Sequence, residues 1–334
     1  PGETPMTVDT SLPHLHAIEL PTPFPVGPIT VYLAAAPGEP LTLVDTGPRS
    51  ARTRGALDAG LAGLGYAAAN LRRIVVTHAH ADHFGLAAGL RAESGAEVVT
   101  HPWNVAALAD YAGDRERRTA FYAEIFRRAG VPAKILVAMY EATRGVNQFA
   151  APVSVDRTVD EGDPLPLAGR SWRVLHTPGH AAGLICLYEP AGRVLLSSDH
   201  LLADISSNPV VEPPPPGHEQ RLRSLVLYRD ALRRVAALDV ARALPSHGPV
   251  VDDVAGLVER RLAFHQQRLD RILEALRAGA RSTWQITLAL FPGRSPLDTF
   301  LAVSEIIGHL DILEMEGRIE AGAGADGVDH WRLS

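Results

Sequence analysis

Three histidines and one aspartate crowd into a short stretch of the chain. His78, His80, Asp82 and His83 follow directly after the apolar residues 74–76. Imidazole and carboxylate are the ligands that borderline divalent cations such as zinc prefer, and a strand-to-helix turn lets near neighbours converge on one ion. A polar turn with solvated histidines is the alternative, because short motifs also occur by chance. The density of ligand types favours a metal site.

Further ligand types lie just past three other apolar segments. His180 follows the segment 172–175, Asp199 follows 194–196, and His247 follows 240–244. Side chains placed after the carboxyl ends of strands meet at one edge of a sheet, where open α/β folds keep their sites. Solvated turns do not explain this repetition. The sequence therefore predicts one metal centre assembled from distant parts of the chain.

These motifs resemble the metallo-β-lactamase superfamily, whose signature is H-x-H-x-D-H followed by a distant His, a distant Asp and a final His. The resemblance covers roughly residues 10–250 and implies an α/β fold, the four-layer αββα sandwich. It also implies two divalent metal ions, with zinc as first choice and iron or manganese as alternatives. The ligands carried over are His78, His80 and His180 for one ion, Asp82, His83 and His247 for the other, and Asp199 as a bridge between both.

Other residues near these motifs are expected to have supporting roles, that of Asp45 by the same resemblance and those of two histidines by their position beside the ligands. Asp45, which follows the apolar residues 41–44, would orient the ligand loops from behind. His200 stands beside Asp199 and could hydrogen-bond a ligand or the substrate, whereas His176 is expected to support its own turn. Ser246 replaces a glycine that many members carry, which removes no ligand.

The expected chemistry is hydrolysis by a metal-bridging hydroxide. Two cations that share Asp199 would also share a water molecule and lower its pKa, so that hydroxide is present near neutral pH. Asp82 is the candidate catalytic residue that passes a proton to the leaving group. Cys186 lies in an apolar run and is badly placed to act as a nucleophile.

The fold does not decide which bond is broken. Asp199 argues against β-lactam hydrolysis. The complete ligand set argues against the oxidation branch of the superfamily, which uses a single iron. Only 47 residues separate Asp199 from His247, too few for the large inserted domain of the RNA-processing branch. The chain then resembles the hydroxyacylglutathione hydrolase-like and endoribonuclease-like branches. We expect a small thioester, ester or lactone substrate. The alternatives are a metal-dependent endoribonuclease or phosphodiesterase, and a non-catalytic, metal-stabilised binding module.

Short apolar segments bounded by turn residues predict the strands that position these ligands. They lie at residues 15–20, 29–34, 41–44, 74–76 and 97–100, near 153, and at 172–175, 184–188, 194–196 and 240–244. Helical spacing appears at residues 51–64, 82–92 and 219–236. Residues 103–150 are predicted to be a helical insertion whose aromatic side chains either cover the metal site or pack in a core. Residues 204–217 contain four consecutive prolines and predict a stiff loop.

Residues 253–334 are predicted to form a winged-helix-like unit after a hydrolase domain at residues 1–252. The pattern is a long helix ending at Gly279, a short helix, a helix from Ser295 to about Met315, and a hairpin. It resembles the appendage of the endoribonuclease-like branch. Nine arginines stand against twelve acidic residues here, so we expect no DNA binding. The unit should instead pack on the hydrolase domain or on a second copy, as in a homodimer, through Trp284, Phe291 and Phe300.

Composition places limits on the partners. An apolar content of 46%, a charged content of 21% and a net charge of −6 describe a globular protein without a general attraction to nucleic acid or anionic membranes. The single cysteine excludes a disulfide within the chain. No segment reaches the ~18 apolar residues of a membrane span, and the N-terminus lacks a signal-peptide pattern. We therefore expect a cytoplasmic protein that acts on a small molecule.

Overall fold

The computed structural model describes residues 10–207 and 209–334. Residues 1–9, on which the expectation about the N-terminus rests, lie outside the described residues, as does Asn208. The strands are β1 (Leu15–Leu20), β2 (Ile29–Ala34), β3 (Thr42–Val44), β4 (Arg73–Val75), β5 (Glu97–Thr100), β6 (Arg157–Thr158), β7 (Pro164–Leu167), β8 (Arg170–His176), β9 (Ile185–Glu189), β10 (Val194–Ser198), β11 (Arg242–Pro245), β12 (Ile319–Ala323) and β13 (Asp329–Leu333).

Ten α-helices connect or follow these strands in the described ranges. They are α1 (Ala51–Gly63), α2 (Ala81–Phe84), α3 (Ala87–Ser94), α4 (Val105–Ala109), α5 (Tyr111–Arg128), α6 (Ala133–Thr143), α7 (Ser224–Ala236), α8 (Val254–Arg277), α9 (Thr283–Leu290) and α10 (Pro296–Met315). None of the helices in the described ranges is both long and apolar enough to cross a membrane. The stiff loop expected at residues 204–217 contains no helix or strand in its described part.

The first sheet has the strand order β1-β2-β3-β4-β5-β6. Strands β1 to β3 are antiparallel, whereas β3 to β6 pair in parallel, with Leu43 opposite Ile74 and Ile74 opposite Val98. Parallel neighbours need a crossover connection, and α1 and α3 supply two of these. The carboxyl ends of β3 and β4 consequently lie side by side, which brings the segments after residues 44 and 75 to one edge.

The second sheet has the strand order β11-β10-β9-β8-β7. Only β10 and β11 pair in parallel, so the loops after these two strands lie together. Strand β7 was not predicted because it contains Pro164 and Pro166. Proline has no backbone N–H, but β7 lies at the edge of the sheet and needs no hydrogen bonds on its outer side, so the prolines are tolerated there.

The two sheets face each other across a shared apolar core. Trp172 and Leu187 of the second sheet meet Val75 and Val99 of the first. Helices α1 and α3 cover the outer face of the first sheet, and α7 and α8 cover the outer face of the second. This arrangement confirms the α/β fold and the four-layer sandwich expected from the sequence.

Two local predictions need correction. The helix expected at residues 82–92 is divided into α2 and α3, because the Leu86 N–H leaves the helical pattern and donates to the Gly47 carbonyl at 3.1 Å. A Cβ at the neighbouring Gly85 would lie 2.3 Å from the Phe149 carbonyl oxygen, so only glycine fits there. The strand signal near Val153 belongs to a buried coil, and the strand β6 begins four residues later, at Arg157.

The C-terminal residues contain three helices and a hairpin with the predicted order. Ser282 and Ser295 cap α9 and α10, and β12 pairs antiparallel with β13. The helices α8 to α10 share an apolar core with α7 and with the second sheet. A separate winged-helix identity and a boundary near residue 252 remain predictions.

The C-terminal helices also contact the insertion, as the sequence predicted for Trp284 and Phe300. The backbone N–H of Trp284 donates to the Ala129 carbonyl at 2.8 Å, and the Phe300 ring packs against Tyr122 and Phe126. Phe291 instead lies under the Arg268 guanidinium of α8. Acidic residues of α10 also form ion pairs with the segment that precedes α7. Asp311 pairs with Arg221, and Glu314 pairs with Arg223.

Candidate metal centre

Asp45 joins the first two loops of the site. It is buried and adopts a left-handed backbone conformation directly after β3, with φ of 59°. Its carboxylate accepts hydrogen bonds from the Thr77 N–H and the Thr77 hydroxyl, and one oxygen lies 2.8 Å from His83 Nδ1. A donating Nδ1–H directs the lone pair of His83 Nε2 into the site. Asp45 therefore lies behind the loop in a position that suits the expected orienting role, which stays a prediction.

Three of the predicted ligands form one compact group. His78 Nε2 lies 3.0 Å from His80 Nδ1, and His180 Nε2 lies 3.1 Å from the same atom. His78 and His80 come from the turn after β4, whereas His180 comes from the turn after β8. The three rings meet edge to face. Their ring nitrogens are close enough to share one cation.

Asp82, His83 and His247 form a second group next to the first. His247 Nε2 lies 3.5 Å from Asp82 Oδ2, and His83 Nε2 lies 3.9 Å from Asp82 Oδ1. The other nitrogen of His247 donates to the Pro28 carbonyl at 2.7 Å, which fixes the ring. This group has the composition expected for the second cation.

Asp199 lies between the two groups. One carboxylate oxygen is 3.4 Å from His180 Nε2 and 3.5 Å from His83 Nε2, and the other is 3.8 Å from His247 Nε2. We call the seven side chains of both groups and Asp199 the His/Asp cluster. All seven predicted ligands are thus brought together at one edge of the sandwich.

The unpaired atoms of the His/Asp cluster fit metal ions. His83 Nε2, His247 Nε2 and Asp199 Oδ1 are buried and form no hydrogen bond with any described residue. Buried polar atoms without a partner are costly, and a native structure needs a reason for each of them. Divalent cations coordinated by imidazole and carboxylate would satisfy all three atoms.

The pKa values in the first group also suit metal binding. Burial, reinforced by His180, lowers the pKa of His80 to about 3, and burial holds the pKa of His78 well below its ordinary value. Burial opposes the charged form of Asp199, but His83 and His247 hold the pKa of its carboxyl far below its ordinary value. Neutral imidazole and ionised carboxylate are the forms that bind a cation.

A cavity of about 410 Å³ opens on the His/Asp cluster. We call it the site cavity. His80 and Asp82 form its floor, Tyr111 and Tyr122 of α5 form one wall, and Phe300 of α10 forms another. Tyr111 and Tyr122 of the insertion therefore line the site cavity, whereas Phe126 packs in a core, so each of the two sequence interpretations holds for part of the insertion.

Comparison with known proteins agrees with this architecture. The sequence profile described as "Metallo-beta-lactamase superfamily" matches residues 24–247, a range that holds the whole His/Asp cluster. The chain belongs to the metallo-beta-lactamase superfamily. Within this superfamily, the Probable metallo-hydrolase YqjP of Bacillus subtilis is 34% identical over 304 residues, which are 91% of this chain and 93% of that protein.

Two further members of the superfamily give complementary information. The Acyl-coenzyme A thioesterase MBLAC2 of Gallus gallus is 32% identical over 125 residues, 37% of this chain and 40% of that protein. The crystal structure of the metallo-beta-lactamase family protein TTHA1429 from Thermus thermophilus superposes with a TM-score of 0.81 at 27% identity, covering 97% of this chain and all of that chain. The chain is a metal-dependent hydrolase of the superfamily.

One pair of residues at the site was missed by the sequence analysis. Glu212 is buried and accepts hydrogen bonds from the Arg118 guanidinium of α5 and from the Ala182 N–H. It thereby ties the insertion to the turn that carries His180. Glu212 lies in a proline-rich loop and Arg118 is one of many arginines on a helix, so the superfamily motifs give no signal for either.

The remaining histidines near the site lie outside the cluster. The His200 ring is buried against Tyr228 of α7 and forms no hydrogen bond with the His/Asp cluster, so a role beside the ligands stays a prediction. His176 donates through Nε2 to the Ala182 carbonyl at 2.8 Å, which supports its turn. It also stacks on His101, whose Nε2 lies 3.2 Å from Asp160.

Proposed function

We propose that the His/Asp cluster binds two divalent cations, with zinc as first choice and iron or manganese as alternatives. The observation that carries this proposal is the position of Asp199, within 4 Å of ring nitrogens from both groups. The proposed ligands are His78, His80 and His180 for one cation, Asp82, His83 and His247 for the other, and Asp199 for both.

We further propose hydrolysis of a small acyl thioester, ester or lactone. When bound, the two cations supply a water of lowered pKa and polarise the substrate carbonyl. Asp82 lies in the floor of the site cavity beside His247. Burial raises the pKa of Asp82, but His83 and His247 outweigh burial and lower it, so the carboxylate is ionised at neutral pH. It can accept a proton there and pass it to the leaving group.

Two observations favour a thioester within this group. The walls of the site cavity are largely aromatic and aliphatic, which suits an acyl group better than a polyanion. The similar protein from Gallus gallus is named an acyl-coenzyme A thioesterase. The chain's net charge of −6 adds no attraction for RNA.

The metal assignment is tested by elemental analysis of purified variants. We expect about two metal equivalents in the unaltered chain, because a bridged pair of cations fills both groups. Asp199→Ala should lose more metal than Asp45→Ala, since the first removes a ligand and the second only an orienting partner. His330→Ala, in the C-terminal hairpin, is the control. Full metal retention in Asp199→Ala would place Asp199 outside the coordination sphere.

The substrate class is tested with one panel of compounds. Metal-loaded protein is assayed against an acyl thioester, an aryl ester, a lactone, a bis-aryl phosphodiester, a β-lactam and single-stranded RNA. We expect the highest kcat/KM for the thioester, with activity abolished in His78→Ala. A rate on RNA far above the rate on any ester, lost in the same variant, would overturn the proposal.

A further inference from the structure

A second cavity of about 260 Å³ lies between α5 and α6. We call it the tail cavity. It is lined by Phe126 of α5 and by Leu136, Val137, Met139 and Tyr140 of α6. Apart from two threonine side chains and the hydroxyls of two tyrosines, its lining is apolar, and no charged residue contributes to it. Such a space has affinity for an apolar group and none for an ion.

The tail cavity adjoins the site cavity. Thr119, Tyr122, Thr143 and Phe300 line both of them. These four side chains come from α5, the end of α6 and α10, so they surround the junction from three sides. The two cavities therefore adjoin at these four side chains, and an acyl chain held at the His/Asp cluster would have to pass between them to enter the tail cavity.

Charge is distributed unequally along this path. Asp114, Arg118 and Glu212 line the site cavity, where they form one ion-paired group. No charged residue lines the tail cavity beyond the junction. Val137 and Tyr140 are 62% and 46% exposed at the outer side of the tail cavity, which is unusual for large apolar side chains that neighbour one another.

We propose that the tail cavity binds the hydrocarbon end of an extended acyl chain whose thioester carbonyl lies at the His/Asp cluster. The acyl chain is bonded directly to the reacting carbonyl carbon, so it must leave the cluster through the site cavity. The polar thiol half of the substrate stays in solvent. This inference rests on the proposed function and narrows its substrate class to acyl thioesters with an extended, unbranched chain.

The test is a chain-length series of coenzyme A thioesters from acetyl to dodecanoyl. Each methylene that enters an apolar cavity should raise kcat/KM by about fourfold until the tail cavity is filled. The increase should then stop. Acetyl-coenzyme A, which is too short to cross the junction, reports on the His/Asp cluster alone.

Two substitutions that fill the path should remove this preference. Thr119→Phe narrows the junction, and Ala123→Phe places a benzyl group in the tail cavity, which Ala123 lines from α5. Both should lower the ratio of octanoyl to acetyl kcat/KM at least tenfold. The matched control is Ala120→Phe, an exposed alanine of the same helix that lines neither cavity, and its ratio should stay within twofold of the unaltered chain.

The possible results separate the two proposals. Hydrolysis of all the thioesters at similar kcat/KM, or an unchanged ratio in both filling variants, overturns the tail cavity and leaves the proposed function standing. Absence of hydrolysis with every thioester, in protein that carries its metal, overturns the thioester assignment within the proposed function and the acyl-chain inference with it. A preference for long chains that both variants lose and the control keeps supports the inference.

Discussion

Acid should destabilise the protein through His309, a buried histidine far from the His/Asp cluster. His309 lies on α10 and is 1% exposed. Its Nδ1 donates to the Glu305 carbonyl at 2.7 Å, and its Nε2 forms no hydrogen bond with any described residue. His265 and Arg268 of α8 and Arg229 of α7 are the basic groups around it. Burial, reinforced by these groups, lowers the pKa of His309 to about 3.

The size of the effect follows from proton uptake. An unfolded chain protonates this histidine near pH 6.5, whereas the folded chain keeps it neutral down to about pH 3. Below pH 6.5 the unfolded state therefore binds more protons, and folding stability falls as the pH falls. Between pH 7.5 and pH 5.0 this single group should cost about 2 kcal/mol of unfolding free energy.

The measurement is urea unfolding of the unaltered chain and of His309→Phe at both pH values. Phenylalanine fills a similar volume without titrating, so the variant should lose about 2 kcal/mol less on acidification. His265, whose pKa burial lowers to about 4, and Glu305, whose pKa burial raises, are present in both proteins, so their contributions largely cancel in the difference. His330→Phe, at a partly exposed position of the C-terminal hairpin, is the control. Equal acid losses in His309→Phe and the unaltered chain would refute the reasoning.

Three further outcomes can be measured on the same protein. Trp172→Ala should lower the unfolding free energy by about 3–5 kcal/mol, because the indole fills the core between the sheets; a loss below 1 kcal/mol would contradict that. Gly179→Ala should reduce metal content, since its Cβ would lie 2.4 Å from Tyr228 Cβ beside His180, whereas Gly217→Ala, with open space around it, should not. Burial raises the pKa of Cys186 to about 12, so iodoacetamide should label it only after unfolding; rapid labelling of native protein would disprove its burial.

The local ligand pattern made the His/Asp cluster predictable. Strand-end motifs are short-range signals: a strand, a turn and a ligand lie within a few residues of each other, and ligands that follow the carboxyl ends of strands tend to meet at one edge of the fold. His180 and Asp199 could therefore be placed beside His80 without knowledge of the strand order. Asp45 was carried over from the resemblance to the superfamily, whose signature includes an aspartate directly after a strand.

The parts that could not be predicted depend on contacts between distant segments. The helix expected at residues 82–92 is divided because the Leu86 N–H donates to the Gly47 carbonyl, a partner that no residue within that segment predicts. Strand β7 carries two prolines that argue against a strand, and only its place at the sheet edge permits them. Glu212 reaches Arg118 across 94 positions of sequence, a pairing that no local pattern encodes.

The His/Asp cluster and the tail cavity are built from different segments of the chain, which affects how the protein can evolve. The turns that hold the His/Asp cluster belong to the sandwich, whereas the tail cavity is built entirely from α5, α6 and α10. Substitutions at Met139 or Leu136 touch no proposed ligand and no strand of either sheet. Evolution can therefore change the substrate preference through the tail cavity without changing the proposed metal ligands. For the same reason, a designer who wants a new specificity can mutate these helices without altering the His/Asp cluster.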